Sequence, residues 1–243
     1  MTQTDARPAF YALAQGGWRD YVTLLHPPYT AWHLSYVVVG GCLASDVAWG
    51  RLWATVAAFA LAMGVGAHAL DELEGRPLRT RISNPVLVGL ALVSVAGASA
   101  IGLVVLVPFR PWLTVLIPIG VFLVVAYNLE LWRGRFHGGL WFALGWGAFP
   151  ALCGYAAVAG KIDEVALLAA AFAALLSAVQ RVLSTPVRHV RRNVRSVQGE
   201  IRLQTGGVEA IDEDALMGAP ETALRILSAT TVLLAAALVV ARL

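Results

Sequence analysis

Pro85-Val-Leu-Val-Gly-Leu-Ala-Leu-Val-Ser-Val-Ala-Gly-Ala-Ser-Ala-Ile-Gly-Leu-Val-Val-Leu-Val107 is a run of 23 residues without a single charge. A helix of that length rises about 1.5 Å per residue and so crosses a hydrocarbon core about 30 Å thick. No water is available in that core to satisfy the backbone, so the run is read as a transmembrane helix. The residues on either side set its limits: Asn84-Pro85 opens it, and Pro108 to Pro111 close it.

Working outward, further apolar runs lie at 31–48, 52–71, 112–128, 139–160, 164–186 and 222–241. With 85–107 they predict an all-α, polytopic transmembrane bundle of about seven spans. The chain is read as one integral-membrane domain over 1–243, with an N-terminal segment 1–30 and a polar connection 187–221 before the last span. The whole composition agrees: 58% hydrophobic and 14% charged residues, with mean hydropathy +0.71. Soluble domains carry roughly 25% charge, so a soluble domain, a disordered tail and a nucleic-acid module are all excluded. Asp5, Arg7, Arg19 and Asp20 precede the first apolar run, which is unlike a cleaved signal. Cys42 and Cys153 lie in apolar runs without metal-type spacing and read as buried packing residues.

Basic residues orient the bundle. Arg7 and Arg19, then Arg76, Arg79 and Arg81, then Arg133 and Arg135, then Arg181, Arg188, Arg191, Arg192, Arg195, Arg202 and Arg225 fall on one side of a seven-span chain. Only Arg51, Arg110, Lys161 and Arg242 of the 18 Lys and Arg residues fall on the other. The positive-inside rule then predicts a cytoplasmic N-terminus and a C-terminus outside.

Three polar clusters need an explanation. At the end of the second span, His68, Asp71 and Glu72 are spaced i, i+3, i+4 and share a helix face, and Glu74 lies three beyond Asp71. Carboxylates at a membrane boundary are costly unless paired. A Mg²⁺ held by Asp71, Glu72 and Glu74 together with substrate phosphates satisfies them, with His68 as hydrogen-bond partner or proton acceptor. Ion pairs with Arg76, Arg79 or Arg81 satisfy them equally well. Gly64 and Gly66, just before, permit a close helix approach.

The second cluster is Tyr127, Asn128 and Arg133, which face either a polar cavity or an interfacial aromatic and basic belt. The third is a helical stripe of Arg181, Arg188, Arg192 and Arg195 leaving the sixth span. Guanidinium groups so placed hold diphosphate oxygens in pairs; anionic lipid headgroups are the alternative partner. Gln180 and Arg181 lie deep for a surface patch. The acidic stretch Glu209 to Glu221 reads as a solvated cap or a counter-charge to the stripe. His26, His33 and His137 read as structural, and Pro27-Pro28 as a turn into the membrane. Neither a discontinuous helix pair nor a buried charge track suggests a transporter.

The order of these features has a counterpart. Thr23-Leu-Leu-His26-Pro27 leads into the first span, and an acidic motif followed by Arg79-Thr80-Arg81 closes the second. A turn from Tyr127-Asn128 to Arg133 precedes a Gly-rich fifth span, and a polar motif closes the sixth. This layout resembles the UbiA superfamily of intramembrane prenyltransferases over essentially the whole chain. The family's first motif, Asn-Asp-x-x-Asp-x-x-x-Asp, reads Ala67-His68-x-x-Asp71-x-x-x-Gly75 here. Its second, Asp-x-x-x-Asp, is absent from Thr185 to Arg192, and the family usually has nine spans.

The resemblance implies an isoprenoid (polyprenyl) diphosphate substrate, Mg²⁺, and transfer of the prenyl group to an aromatic or lipid acceptor in the membrane. Catalytic roles then fall on Asp71, Glu72 and His68. Diphosphate contacts fall on Arg79, Arg81, Arg133, Arg181, Arg188, Arg192, Tyr127 and Asn128. Trp146 and Tyr155 are candidates for stabilising an allylic cation. A terpene cyclase, or a non-catalytic protein binding phosphorylated lipid on the same scaffold, is the alternative.

Overall fold

The computed structural model describes residues 7–243; Asp5 and the rest of the first six residues lie outside the described part. A short helix α1 (Trp18–Leu24) lies at one end of the bundle. Then come α2 (Pro27–Cys42), α3 (Trp49–Leu73), α4 (Asn84–Leu106), α5 (Pro111–Asn128), α6 (Gly139–Ala159) and α7 (Glu164–Asn193). A hairpin of β1 (Gly199–Arg202) and β2 (Val208–Ile211) precedes α8 (Glu213–Arg242).

Among the described residues six helices, α3 to α8, are long and apolar enough to cross a membrane, and the chain is an integral membrane protein. The first expected span, 31–48, is instead the 16-residue α2. At about 24 Å it is shorter than the hydrocarbon core. It starts early because Pro27 and Pro28 occupy the first helical positions, where a missing N–H costs nothing. Ser35 to Cys42 are buried without interruption, so α2 is enclosed on all sides, as a helix apolar all round must be. At the other extreme only 11% of the central stretch of α4 is buried, against 67% for α6, so α4 faces lipid and α6 faces the core.

Small residues allow this enclosure. A methyl group on Gly154 of α6 would overlap the Val37 carbonyl of α2, and one on Gly40 would overlap the Ala151 carbonyl. One on Gly147 would overlap the Ala173 carbonyl of α7. The backbones of α2, α6 and α7 therefore meet at distances open only to glycine. Along its other flank α2 runs parallel to α8: Ser228 Oγ donates to the Pro28 carbonyl and Arg242 Nε to the Cys42 carbonyl. Arg51 donates to the carbonyls of Ala157 and Val158 and lies 3.7 Å over the Phe109 ring, fastening the sparsely charged end.

Two expected boundaries move. The sixth span runs on from 186 to Asn193 through Pro186, and the last begins at Glu213 rather than 222, through Pro220. The expected connection 187–221 is therefore mostly two helix ends and a small antiparallel hairpin, which apolar runs alone do not foretell. Asp163 caps α7: its Oδ1 accepts from the Ala166 N–H, and its Oδ2 from Tyr155 Oη at 2.8 Å and Lys161 Nζ at 2.7 Å.

These contacts set two expected outcomes. Gly154→Ala is expected to lower stability by about 1–3 kcal/mol, an overpacking cost. Gly50→Ala, where a methyl meets open space, is expected to leave it unchanged; thermal unfolding in detergent micelles measures both. Lys161, assisted by Tyr155, lowers the Asp163 carboxyl from its ordinary 3.8 to about 2. A depressed carboxylate stabilises fully above its unfolded pKa, and that contribution disappears as pH falls through the folded value. The melting-temperature gap between wild type and Asp163→Asn is thus expected to be constant above about pH 4 and to close towards pH 2.

Candidate functional site

The two glycine-bearing sequences Gly64-Val-Gly66-Ala67 and Gly145-Trp-Gly147-Ala148 both form π-helical turns, Ala60–Ala67 in α3 and Ala143–Ala148 in α6. A π turn takes in an extra residue and displaces a carbonyl from its usual partner. A histidine satisfies a turn carbonyl in each. His68 Nδ1–H donates to the Gly64 carbonyl at 3.1 Å, and His33 Nδ1–H to the Trp146 carbonyl at 2.7 Å. The shared Gly-x-Gly-Ala pattern is the sequence signal common to these turns, too short to stand out as a repeat. Gly64 packs on Thr30 of α2 and Gly66 on Val95 of α4, as their expected close-approach role requires.

Beyond its π turn α3 presents His68 and Asp71 to the arginine-rich end of the bundle. The His26 ring lies 4.0 Å from that of His68, and Tyr11 meets His26 edge-on at 5.4 Å. His26 adopts a left-handed backbone, φ 45°, at the entrance to α2, unusual for a residue with a side chain. It is buried, and its Nδ1 has no partner among the described residues. Burial, then the nearby His68, holds its imidazole well below the ordinary range, so the ring is neutral at physiological pH. Burial likewise raises the Tyr11 hydroxyl well above its ordinary value.

Asp71 lies within electrostatic range of Arg192, Arg188 and His137. Neither of these arginines is in an ion pair with it or with any other carboxylate among the described residues. Arg192 Nε is buried and unpartnered among those residues. Arg181 is engaged differently: its Nη1 donates to Tyr127 Oη at 2.6 Å, and its guanidinium lies 5.6 Å from the Phe142 ring centre. Tyr127 stacks on His137 and packs on Trp146, with ring centres 4.5 and 4.2 Å away. Trp146 also lines an apolar cleft between α3, α4, α5 and α6, together with Phe59, Met63, Val95, Val124 and Phe149. Polar site and apolar cleft thus share one wall.

The remaining expected residues sit elsewhere. Glu72 is fully buried and faces its own loop: Oε2 accepts from the Leu78 N–H at 2.9 Å, and Oε1 from the Thr80 N–H and Oγ1 at 2.8 and 2.9 Å. Both its oxygens are occupied in folding the 74–83 connection. Asp20 supports the same loop, accepting from the Arg81 N–H, while its other oxygen accepts from the Gly16 N–H. Glu74, Arg79, Arg81 and Arg133 are exposed. Asn128 is buried and donates back to the Val124 carbonyl of its own helix, closing α5. Tyr155, bonded to Asp163, lies at the opposite end of the bundle from Asp71. No group of three or more His, Cys, Asp and Glu side chains among the described residues is placed to hold a metal ion.

The acidic stretch splits in function. Glu221 is buried and takes Arg191 at 2.5 Å and Arg225 at 2.6 Å. It pairs with two arginines outside the 181–188–192–195 stripe, and Arg188 and Arg192 have no ion pair among the described residues. Arg195 is exposed.

No family model matches the chain, and no solved structure matches it. Among curated proteins it is similar to a protoheme IX farnesyltransferase of Hahella chejuensis (strain KCTC 2396), with 31% identity over 169 residues. The match covers 64% of this chain and 56% of that protein, so the chain spans little more than half of the relative's length.

Glu72→Gln replaces one acceptor oxygen by a donor facing the loop's N–H groups. It is expected to cost about 1–3 kcal/mol and to speed amide hydrogen exchange at Leu78 and Thr80. Glu74→Gln, at an exposed position, is expected to change neither.

Proposed function

We propose that this chain is a UbiA-type intramembrane prenyltransferase that acts on an isoprenoid diphosphate. The observation that carries this reading is the convergence of Arg188 and Arg192, neither in an ion pair with a carboxylate among the described residues, on a polar site that shares Trp146 with an apolar cleft. A diphosphate needs fixed positive charge, and an isoprenoid chain needs an apolar channel beginning beside it. The name of the similar Hahella protein, a farnesyltransferase, supports the same class of substrate.

In this reading Arg188 and Arg192 bind the diphosphate and stabilise the charge that grows on it as the C–O bond breaks. Arg181, fixed by Tyr127, orients it from the side. The Tyr127, Phe142 and Trp146 rings border the path of the chain and stabilise positive charge at its allylic end. The acceptor, an aromatic ring or lipid headgroup, bonds to that carbon and releases a proton. Asp71 and His68 are the groups placed to receive it. His68 Nδ1 is committed as donor to Gly64, which leaves the other ring nitrogen as acceptor. The arginine-rich end faces the cytoplasm by the positive-inside rule, with the N-terminus there and the C-terminus outside.

Mg²⁺, which the resemblance implies, finds a poor set of ligands. Glu72 is committed to the 78–80 backbone and Glu74 is exposed, so Asp71 alone remains of the expected three.

The test is diphosphate release from the purified protein given farnesyl or geranylgeranyl diphosphate with membrane lipid, followed by mass analysis of the lipid extract. Release with a prenylated product is expected. Asp71→Asn and Arg188→Gln are expected to reduce turnover by about 100-fold or more with melting temperature retained. Turnover that survives both substitutions sinks the site assignment, and a product of unchanged acceptor mass with a cyclised chain replaces transfer by cyclisation.

A further inference from the structure

We infer that this site takes its diphosphate directly on the Arg188 and Arg192 guanidinium groups, without a bridging divalent cation, and that Asp71 stands as an unbridged negative charge beside it. The inference rests on the isoprenoid-diphosphate reading and concerns how the anion is held.

Four observations carry it. First, the carboxylates that would hold a cation are not assembled: Glu72 spends both oxygens on Leu78 and Thr80, and Glu74 is exposed. Second, where α7 leaves the bundle, the stretch facing Asp71 bears arginines and no acid. Third, these arginines are kept available. Glu221 absorbs Arg191 and Arg225, Tyr127 engages Arg181, and Arg188 and Arg192 have no ion pair among the described residues. Fourth, the buried Arg192 Nε lacks a partner among those residues, as does His26 Nδ1 on a residue only 7% exposed. Buried donors without acceptors are costly, and an anion with several oxygens satisfies the arginine. A guanidinium presents paired donors to phosphate oxygens and carries its charge at every accessible pH.

The two ways of holding a diphosphate predict opposite signs for one substitution. If a cation bridges Asp71 to the anion, Asp71→Asn removes a ligand and weakens binding. If the arginines bind the anion directly, Asp71 repels it, and Asp71→Asn tightens binding.

The experiment is titration of inorganic diphosphate into the full chain in detergent micelles, by calorimetry, once with EDTA and once with excess Mg²⁺. Affinity in EDTA at least as high as in excess Mg²⁺ is expected, because Mg²⁺ in solution competes with the arginines for the diphosphate oxygens, with Asp71→Asn tightening binding in EDTA about threefold or more. Arg188→Gln and Arg192→Gln are each expected to weaken it about tenfold or more, and Arg192→Lys by less, because it keeps the charge but loses the fork. Melting temperature in each variant separates lost binding from lost fold. Binding that needs Mg²⁺ and is lost in Asp71→Asn overturns this inference and leaves the isoprenoid-diphosphate reading in place. Binding in neither buffer also overturns it, and turnover of farnesyl diphosphate by the same preparation then decides whether that reading falls as well.

Discussion

The structure depends on how closely the backbone of α2 approaches that of α6. Gly40 and Gly154 each face a carbonyl of the opposite helix, with no room for a methyl group between. Within a bilayer, apolar side chains gain little by leaving lipid for one another, so packing between backbones supplies much of the association. This contact fixes the enclosed helix against the most buried of the long ones, and Gly147 extends it to α7. The site descends from it. α2 brings in His26 at its start, α6 brings in Trp146, and α7 brings in the arginines.

Around that axis the charged end is divided between groups that fold the protein and groups left over. Asp20 and Glu72 bind backbone N–H groups and shape the loop after α3. Glu221 ties α8 to α7 through Arg191. Each of these buried carboxylates has its oxygens filled. Among the described residues Asp71 does not, nor do Arg188 and Arg192 have their donors filled. The polar groups that folding leaves unsatisfied, not acidic or basic groups in general, gather at the polar site.

Much of the fold is legible in the sequence because lipid imposes a simple rule: a long run without charge is a helix. The 85–107 run corresponds to Asn84–Leu106, almost residue for residue. The rule fails where charge and proline do not end a helix. Pro186 and Pro220 lie inside α7 and α8, which project past the apolar zone, and the polar hairpin between them carries no apolar run to announce it. At the site, the spacing groups Glu72 with His68 and Asp71, but Glu72 faces its own loop. An i, i+4 pattern specifies a face within about a turn, whereas the Leu78 and Thr80 N–H groups that capture Glu72 belong to a loop whose path no periodicity encodes. His26 reads in the sequence as a structural residue beside a turn, and its proximity to His68 is a tertiary fact without a local signal.

The π turns have a consequence for how such a site can change over evolutionary time. Each holds one residue more than an α-helical path over the same rise requires; the turn in α3 lies immediately before His68 and Asp71, and the turn in α6 contains Trp146. Deleting a single residue from Ala60–Ala67 would let the turn relax to ordinary helix and rotate the two halves of α3 against each other by about 100°. The membrane segment would remain long and apolar enough to insert, and Gly154 would still meet Val37. Only the bearing of His68 and Asp71 relative to the lipid-facing half of α3 would alter. Such a turn acts as an indexing notch: it lets a lineage re-aim its reactive groups by one-residue length changes while the surrounding helices keep their places.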